Sequence, residues 1–262
     1  MISEVGRVLG ALRDGEVPAL LIGGMACIVY GGKEFSKDAD VVVACDDAAV
    51  SRLARVMAAL GAEPIAVPPL SAQVLSKGHG VHFRLPPTPS LPQGLRVDVM
   101  GRLRDMDPFA VCWSRRLLLD LPGCGEVPVM ALDDLLRSKR TERPQDWDDI
   151  RQLVEADCAR ITTQGTPTIT DLHRWLRHGR TIDLLREAIR IADTYHAALA
   201  SVRGERSVID LACRGADDAA LEAAMFNEYQ DVATLHRAYW APLLAELAAF
   251  RQAARFRKPE ES

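Results

Sequence analysis

Leu21-Ile-Gly-Gly-Met-Ala-Cys-Ile-Val-Tyr-Gly-Gly-Lys-Glu-Phe-Ser-Lys-Asp-Ala-Asp-Val-Val-Val43 is an apolar run, a glycine pair, a short helical stretch and then a strand with two carboxylates. Leu20 to Ile22 reads as a short buried strand, and Gly23-Gly24 lets the backbone turn tightly with no side chain in the way of what approaches it. A strand that feeds a helix through glycines presents free amide N–H groups, a place for phosphate oxygens. The β-branched run after Asp38-Ala39-Asp40 argues strand, and alternation puts Asp38 and Asp40 on one face with Ala39 and Val41 on the other. Two neighbouring carboxylates repel unless a cation lies between them, and a hard divalent ion with oxygen ligands is the natural one.

Gly-Gly, a spacer, then Asp-x-Asp and an apolar strand resembles the minimal nucleotidyltransferase superfamily, the fold of DNA polymerase beta. The resemblance implies a third carboxylate on a later strand. Leu95-Arg-Val-Asp-Val-Met100 offers Asp98, set among alternating apolar residues so that it points from a sheet face. Asp38, Asp40 and Asp98 are then the expected ligands of two Mg2+ ions, and Gly23, Gly24, Ser36 and Lys37 belong to the expected nucleotide site. The family often has Gly-Ser where this chain has Gly23-Gly24, and a threonine or arginine before the Asp-x-Asp where this chain has Ser36-Lys37. The first departure removes a hydroxyl from the phosphate cradle, and the second bears on substrate positioning.

A chain of 262 residues, 48% of them hydrophobic, fits one large domain or two modest ones and can bury a core without covalent staples. A net charge of −4 excludes an all-over basic nucleic-acid coat but not a local basic groove. The six cysteines, at 27, 45, 112, 124, 158 and 213, show no C-x-x-C and no zinc-like spacing to histidine, so reduced core thiols are expected. Met1-Ile-Ser-Glu-Val lacks the marks of a signal peptide and no apolar run is long enough to span a bilayer, which makes cytoplasmic residence the expectation.

Around the central stretch, Ile2 to Asp14 reads as an amphipathic helix closed by Gly15. A helix from Asp46-Asp47 to Gly61 carries Val50, Leu53, Ala54, Met57 and Leu60 as its apolar stripe. Ile65 to Leu70, broken by Pro68-Pro69, is an edge strand or a loop, and Val81 to Leu85 is a strand joined to Leu95–Met100 through the proline-rich stretch from Pro86 to Pro92. His79 and His82 are expected to be surface hydrogen-bonders. Arg115 to Leu121 and Glu126 to Met130, around Pro-Gly-Cys-Gly, read as a β-hairpin.

From Ala131 to Leu153, Pro144 separates two helices, the second carrying Asp146, Asp149, Ile150 and Leu153. A helix-borne lysine, an arginine four residues on and Asp-x-x-Asp-Ile resembles the segment after the catalytic sheet in bacterial AbiEii toxin-like nucleotidyltransferases. The resemblance implies that Lys139 meets the triphosphate and that Asp146 holds Lys139 or Arg143 in place. An ammonium there would stabilise charge building on the leaving pyrophosphate. The plainer reading of Lys139, Arg143, Asp146 and Asp149 is a solvated lattice of ion pairs.

Thr162 to Thr168 is short, polar and turn-rich, the best boundary in the chain, and the residues beyond it lack strand signals. Helices are expected over 171–178, 182–202, 207–213, 217–229 and 231–257, with Pro242 bending the last and with Leu184, Leu185, Ala188, Ile191, Ala192 and Tyr195 as a core stripe. Arg174, Arg177, His178 and Arg180 form one basic cluster and Arg251, Arg255, Arg257 and Lys258 another, each a solvated face or a contact for RNA phosphates.

The expected architecture is α/β (α+β): by resemblance a nucleotidyltransferase fold over 1–161, a mixed sheet flanked by helices, followed by an α-helical bundle over 168–262. The expected activity is Mg2+-dependent transfer of a nucleoside monophosphate from an NTP to an acceptor hydroxyl. Asp38, Asp40, Asp98 and Lys139 are the catalytic set, and Gly23, Gly24, Ser36, Lys37, Lys139, Arg143 and Asp146 contact the nucleotide. By resemblance to AbiEii-like toxins the acceptor is RNA, a tRNA end for example, and a separate antitoxin protein is the partner. A small-molecule acceptor of the aminoglycoside type and an inert nucleotide-binding or interaction module are the alternatives.

Overall fold

The computed structural model describes residues 2–32, 36, 38–121, 123–193 and 201–255. The chain divides into two compact units, one of Met1–Ala26, Phe35–Ser138 and Tyr239–Ser262, the other of Cys27–Glu34 and Lys139–Ala238.

The first unit holds a mixed seven-stranded sheet in the order β3-β4-β5-β2-β1-β7-β6. Its strands are β1 (Ala19–Ile22), β2 (Asp38–Val43), β3 (Glu63–Pro64), β4 (Val81–Arg84), β5 (Arg96–Met100), β6 (Leu117–Leu121) and β7 (Gly125–Val129). β1 is buried at every position, as its unbroken apolar run requires of a strand covered on both faces. It pairs antiparallel with β2 and parallel with β7. β2 pairs parallel with β5, and β4 pairs antiparallel with β5. β3 is a two-residue edge, where Pro64 costs no ladder bond that a central strand would need.

Helix α1 (Ile2–Asp14) packs on β2 and β7 with Val5, Val8, Leu9 and Leu12 buried. α2 (Gly23–Val29) begins at the first glycine of the pair. α3 (Asp47–Ala59) is capped by Asp46, whose carboxylate accepts from Ala49 N at 2.8 Å. Its buried stripe is Ala49, Val50, Leu53, Val56 and Met57, so Val56 takes the place expected of Ala54, which is exposed. Two short helices, α4 (Ala72–Lys77) and α5 (Phe109–Arg115), go unmarked by periodicity because each is too short to show it, and Arg115 ends α5 rather than opening the hairpin. α6 (Leu132–Ser138) closes this part of the chain.

The described residues of the second unit form helices and their connections: α7 (Pro144–Gln164), α8 (Ile169–His178), α9 (Ile182–Asp193), α10 (Ser207–Cys213) and the first part of α11 (Asp218–Arg255). Its core is Ile150, Leu153, Val154, Leu172, Trp175, Leu176, Leu185 and Ala188. Thr168 caps α8 in a reciprocal capping box with Asp171. α11 runs unbroken where two helices are expected, because Tyr229-Gln-Asp231 contains no glycine or proline to interrupt it, and Pro242 lies inside it. The tail residues Arg257 and Lys258, and Tyr195 of the apolar stripe, lie outside the described residues. None of the six cysteines is in a disulfide, and Cys27, Cys112 and Cys124 are buried. No helix among the described residues is long and apolar enough to cross a membrane.

Candidate functional site

Three neighbouring strands give the first unit a two-sided middle. On one side Ala39, Val97 and Phe83 stand in register across β2, β5 and β4, as do Val41, Val99 and Val81, and all six are buried. Alternation sends the residues between them to the opposite face. There Asp38 pairs with Arg96 and Arg96 with Arg84, while Asp40 pairs with Asp98 and Asp98 with His82. The face therefore grades from two acids on β2, through an arginine and an acid on β5, to two basic side chains on β4.

Asp98 is the hinge of this lattice. Its Oδ1 accepts from Arg96 Nε at 2.7 Å and lies 2.8 Å from His82 Nδ1. The same imidazole nitrogen lies 3.2 Å from Arg96 Nη2, and it can serve only one of them, because donating to the carboxylate uses the proton and accepting from the guanidinium uses the lone pair. Burial works to raise the Asp98 pKa, but the His82 and Arg96 hydrogen bonds overcome it and hold the carboxyl below its ordinary range. Arg96 is raised, first by its bond to Asp98 and further by the charges of Asp38 and Asp40. One guanidinium is thus the cation shared by all three acids. His82 is in contact with Asp98 rather than merely at the surface. His79, expected at the surface, is buried and meets Glu246 Oε2 at 3.0 Å.

The glycine pair fits this face by what it leaves out. Gly23 has φ +65°, and a Cβ there would stand 2.0 Å from Asp40 Oδ2. A Cβ on Gly24 would stand 2.5 Å from Ser36 Oγ, which itself donates to the Asp38 carbonyl at 3.3 Å. Asp40 and Ser36 occupy the space two side chains would have filled. Lys37 lies outside the described residues.

The donor set is three carboxylates, the chemistry a hard divalent cation prefers, on one face beside a glycine pair that makes room for Asp40 and Ser36. As their side chains stand, no three His, Cys, Asp or Glu among the described residues converge as ligands of one ion. Arg96 bonds one of the two Asp98 oxygens, Oδ1.

The second sequence-marked group belongs to the other unit. Lys139 Nζ donates to Asp146 Oδ1 at 3.0 Å and to Asp149 Oδ2 at 2.8 Å, with Asp149 fully buried and the lysine side chain 13% exposed. Thr141 Oγ1 donates to the other Asp146 oxygen at 2.6 Å. Burial works to lower the Lys139 pKa, but Asp146 and Asp149 more than offset it and the ammonium is raised. This is a buried ion-pair network, not the solvated lattice of the plainer reading. Asp146 hydrogen-bonds Lys139 and makes a longer ion pair, 3.9 Å, with Arg143, whose side chain is 70% exposed. The basic cluster at the end of α8 is only partly a solvated face: Arg177 forms an exposed pair with Glu205, but Arg174 pairs with Asp157 and Asp171, and the side chains of His178 and Arg180 are buried.

Sequence reading missed Arg96 and Arg84, although a signal was there. Arg96 has the same strand parity as Asp98, and Arg84 the same as His82, so once Asp98 is assigned a face the others go with it.

No protein-family model and no curated protein matches the chain. Among solved structures it is similar to a candidate nucleotidyltransferase from H. pylori, at 13% identity and a TM-score of 0.40 over 88% of this chain and 92% of that one. It is also similar to ANT(2'')-Ia in complex with adenylyl-2''-tobramycin, at 13% identity and a TM-score of 0.37 over 78% of this chain and 97% of that one. The solution structure of the antibiotic-resistance factor ANT(2'')-Ia gives 11% identity and a TM-score of 0.37 over 94% and 95%. Likeness at this level names no family for the chain.

Proposed function

We propose that this chain is a nucleotidyltransferase that moves a nucleoside monophosphate from an NTP, such as ATP, to an acceptor hydroxyl. The reading rests on one observation above all: Asp38, Asp40 and Asp98 occupy one face of adjacent parallel strands, with Asp40 and Asp98 in register, at a glycine turn whose open space the Asp40 carboxylate enters. In this reading Asp38, Asp40 and Asp98 hold two Mg2+ ions. When bound, these supply charge neutralisation and polarisation of the phosphoryl oxygens. By the family resemblance Gly23 and Gly24 would offer backbone N–H groups to the triphosphate, and Ser36 and Lys37 would contact the nucleotide. By the family resemblance Lys139, fixed by Asp146, would offset charge on the phosphates, and Arg143 would contact the nucleotide.

Asp98 takes the proton of the acceptor hydroxyl as that oxygen bonds to the α-phosphorus and the bond to the bridging oxygen breaks, releasing pyrophosphate. Its depressed pKa keeps it ionised. By the family resemblance the acceptor is RNA, a tRNA end for example, and an antitoxin protein is the partner.

One observation favours a second reading. Arg96 sits among the three acids as their cation, as it would in an inert nucleotide-binding module that has no need of metal. Incubation with α-labelled NTPs, Mg2+ and total RNA separates the two. Labelled RNA with pyrophosphate release, lost in Asp38→Ala and Asp40→Ala, supports transfer to RNA. Label on an added aminoglycoside instead moves the acceptor to a small molecule. NTP binding with no label transferred to either acceptor supports the inert module.

A further inference from the structure

The second unit contains a charge imbalance that the acidic face of the sheet does not explain. Glu228 of α11 receives three guanidinium groups: Arg140 Nη2 at 3.2 Å on Oε1, and Arg180 Nη1 at 2.8 Å and Arg206 Nε at 2.9 Å, both on Oε2. The side chains of Arg180 and Arg206 are 7% and 4% exposed. Among the described residues Glu228 is the only carboxylate that pairs with these two buried arginines, which leaves at least one positive charge uncompensated out of water.

The donors are in excess as well as the charge. Arg180 Nε and Nη2 and His178 Nδ1 are buried without a hydrogen-bond partner, and Arg206 Nη2 lies near Glu228 without the alignment of a bond. The Trp147 ring lies 4.4 Å from the Arg180 guanidinium and compensates part of its charge, but a ring over the plane leaves the in-plane N–H groups as they were. Arg206 Nη1 does find the Leu176 carbonyl at 2.6 Å. Burial first, then the neighbouring arginines, push Arg180, Arg206 and His178 down together, which is the mark of a pocket of excess positive potential.

We infer that Arg140, Arg180 and Arg206 form a binding site for a phosphate group of a small molecule, which supplies the acceptor oxygens and negative charge that Glu228 alone does not. Guanidinium forks match phosphate oxygens in geometry, and a phosphate carries close to two charges at neutral pH. Arg140, with its side chain 33% exposed, is the rim by which such a group enters. Glu228 competes with the ligand for the same donors and holds them in place when it is absent. The site lies wholly within the second unit and does not depend on the assignment of the acidic face.

Isothermal titration of the full chain in EDTA, with phosphate, pyrophosphate and ATP against chloride at matched ionic strength, tests this. EDTA removes any contribution from metal held by Asp38, Asp40 and Asp98. Binding of at least one of these ligands at least tenfold tighter than chloride, weakened tenfold or more in Arg180→Gln and several-fold in Arg140→Ala, is the expected result. The tightest of the three ligands identifies the source of the phosphate. Glu228→Gln keeps the side-chain shape and removes the competing charge, so it is expected to bind several-fold tighter than wild type, whether or not the arginine variants fold. Binding no tighter than chloride in both wild type and Glu228→Gln, or weaker binding in Glu228→Gln than in wild type, would overturn the inference.

Discussion

Asp40 of β2 and Asp98 of β5 are register partners on adjacent parallel strands, and both stand on the face opposite the buried Ala39, Val41, Val97 and Val99. Strands so paired lie about 4.8 Å apart, close enough for two carboxylates to repel strongly in a half-buried setting. Arg96 is the answer the fold itself provides, through its bond to Asp98 and the attraction of Asp38 and Asp40.

Gly23→Ala tests whether the glycine pair serves the carboxylate. An alanine at φ +65° costs about 1–2 kcal/mol for the left-handed backbone alone, and its Cβ would also displace Asp40. At Gly31, with φ +79°, an added Cβ would meet its nearest neighbour only at 3.8 Å, so that position carries the backbone cost alone. In urea denaturation Gly23→Ala is therefore expected to lose at least about 1 kcal/mol more than Gly31→Ala, the excess being the displaced carboxylate. Equal losses would show that Asp40 moves aside freely.

Arg96→Met removes the resident cation. Three acids that have lost the Arg96 guanidinium take up a divalent ion more readily, so Mn2+ is expected to bind at least tenfold tighter to the variant than to wild type, a difference of about 1.4 kcal/mol. Calorimetric titration measures it, and unchanged affinity would show that Arg96 and the ion do not compete.

Lys139→Met leaves Asp149 buried with no ammonium and Asp146 with only Thr141 Oγ1 and the distant Arg143. Breaking such a pair from one side costs about 3–5 kcal/mol, whereas Arg143→Ala, which removes a largely exposed side chain, should cost under about 0.5 kcal/mol. Adding Asp149→Asn to Lys139→Met is expected to recover part of the loss. An unfolding midpoint for Lys139→Met equal to wild type would contradict the buried network.

The strands that frame the acidic face were legible because β-sheet alternation is local: Asp38, Asp40 and Asp98 each show their face in three or four residues of sequence. The pairing of β2 with β5 was not, since register between strands more than fifty residues apart depends on the whole sheet. Arg96 escaped notice for the same reason, its meaning residing in what lies across the strand from it. The long helix α11 escaped because polar residues at Tyr229-Gln-Asp231 resemble a break while leaving a helical backbone undisturbed. The arginines around Glu228 of α11 come from Arg140 ahead of α7, from Arg180 between α8 and α9, and from Arg206 ahead of α10, a convergence no spacing announces.

His178 gives the second unit a pH signature. Burial, with Arg180, Arg140, Arg206 and Arg177 around it, holds its folded pKa well below the ordinary 6.5. An unfolded chain takes up that proton near pH 6.5 and the folded one does not, so this contribution is neutral above pH 6.5 and destabilising below it. The slope approaches about 1.4 kcal/mol per pH unit. Urea unfolding between pH 7 and pH 5 should show His178→Gln losing less stability on acidification than wild type, by up to roughly 2 kcal/mol at pH 5. Parallel curves would place the imidazole in a site that accepts charge.

The central claim is that Asp38, Asp40 and Asp98 together hold divalent metal for nucleotide chemistry. Electron paramagnetic resonance of Mn2+ titrated into the protein with a non-hydrolysable NTP analogue tests it most directly, because bound and free ion give distinct signals whatever the acceptor. Saturable binding in the wild type, weakened at least tenfold in Asp40→Asn and in Asp98→Asn while both remain folded, is the predicted result; binding that is absent from wild type and from Arg96→Met alike, or unchanged by either aspartate substitution, would contradict it.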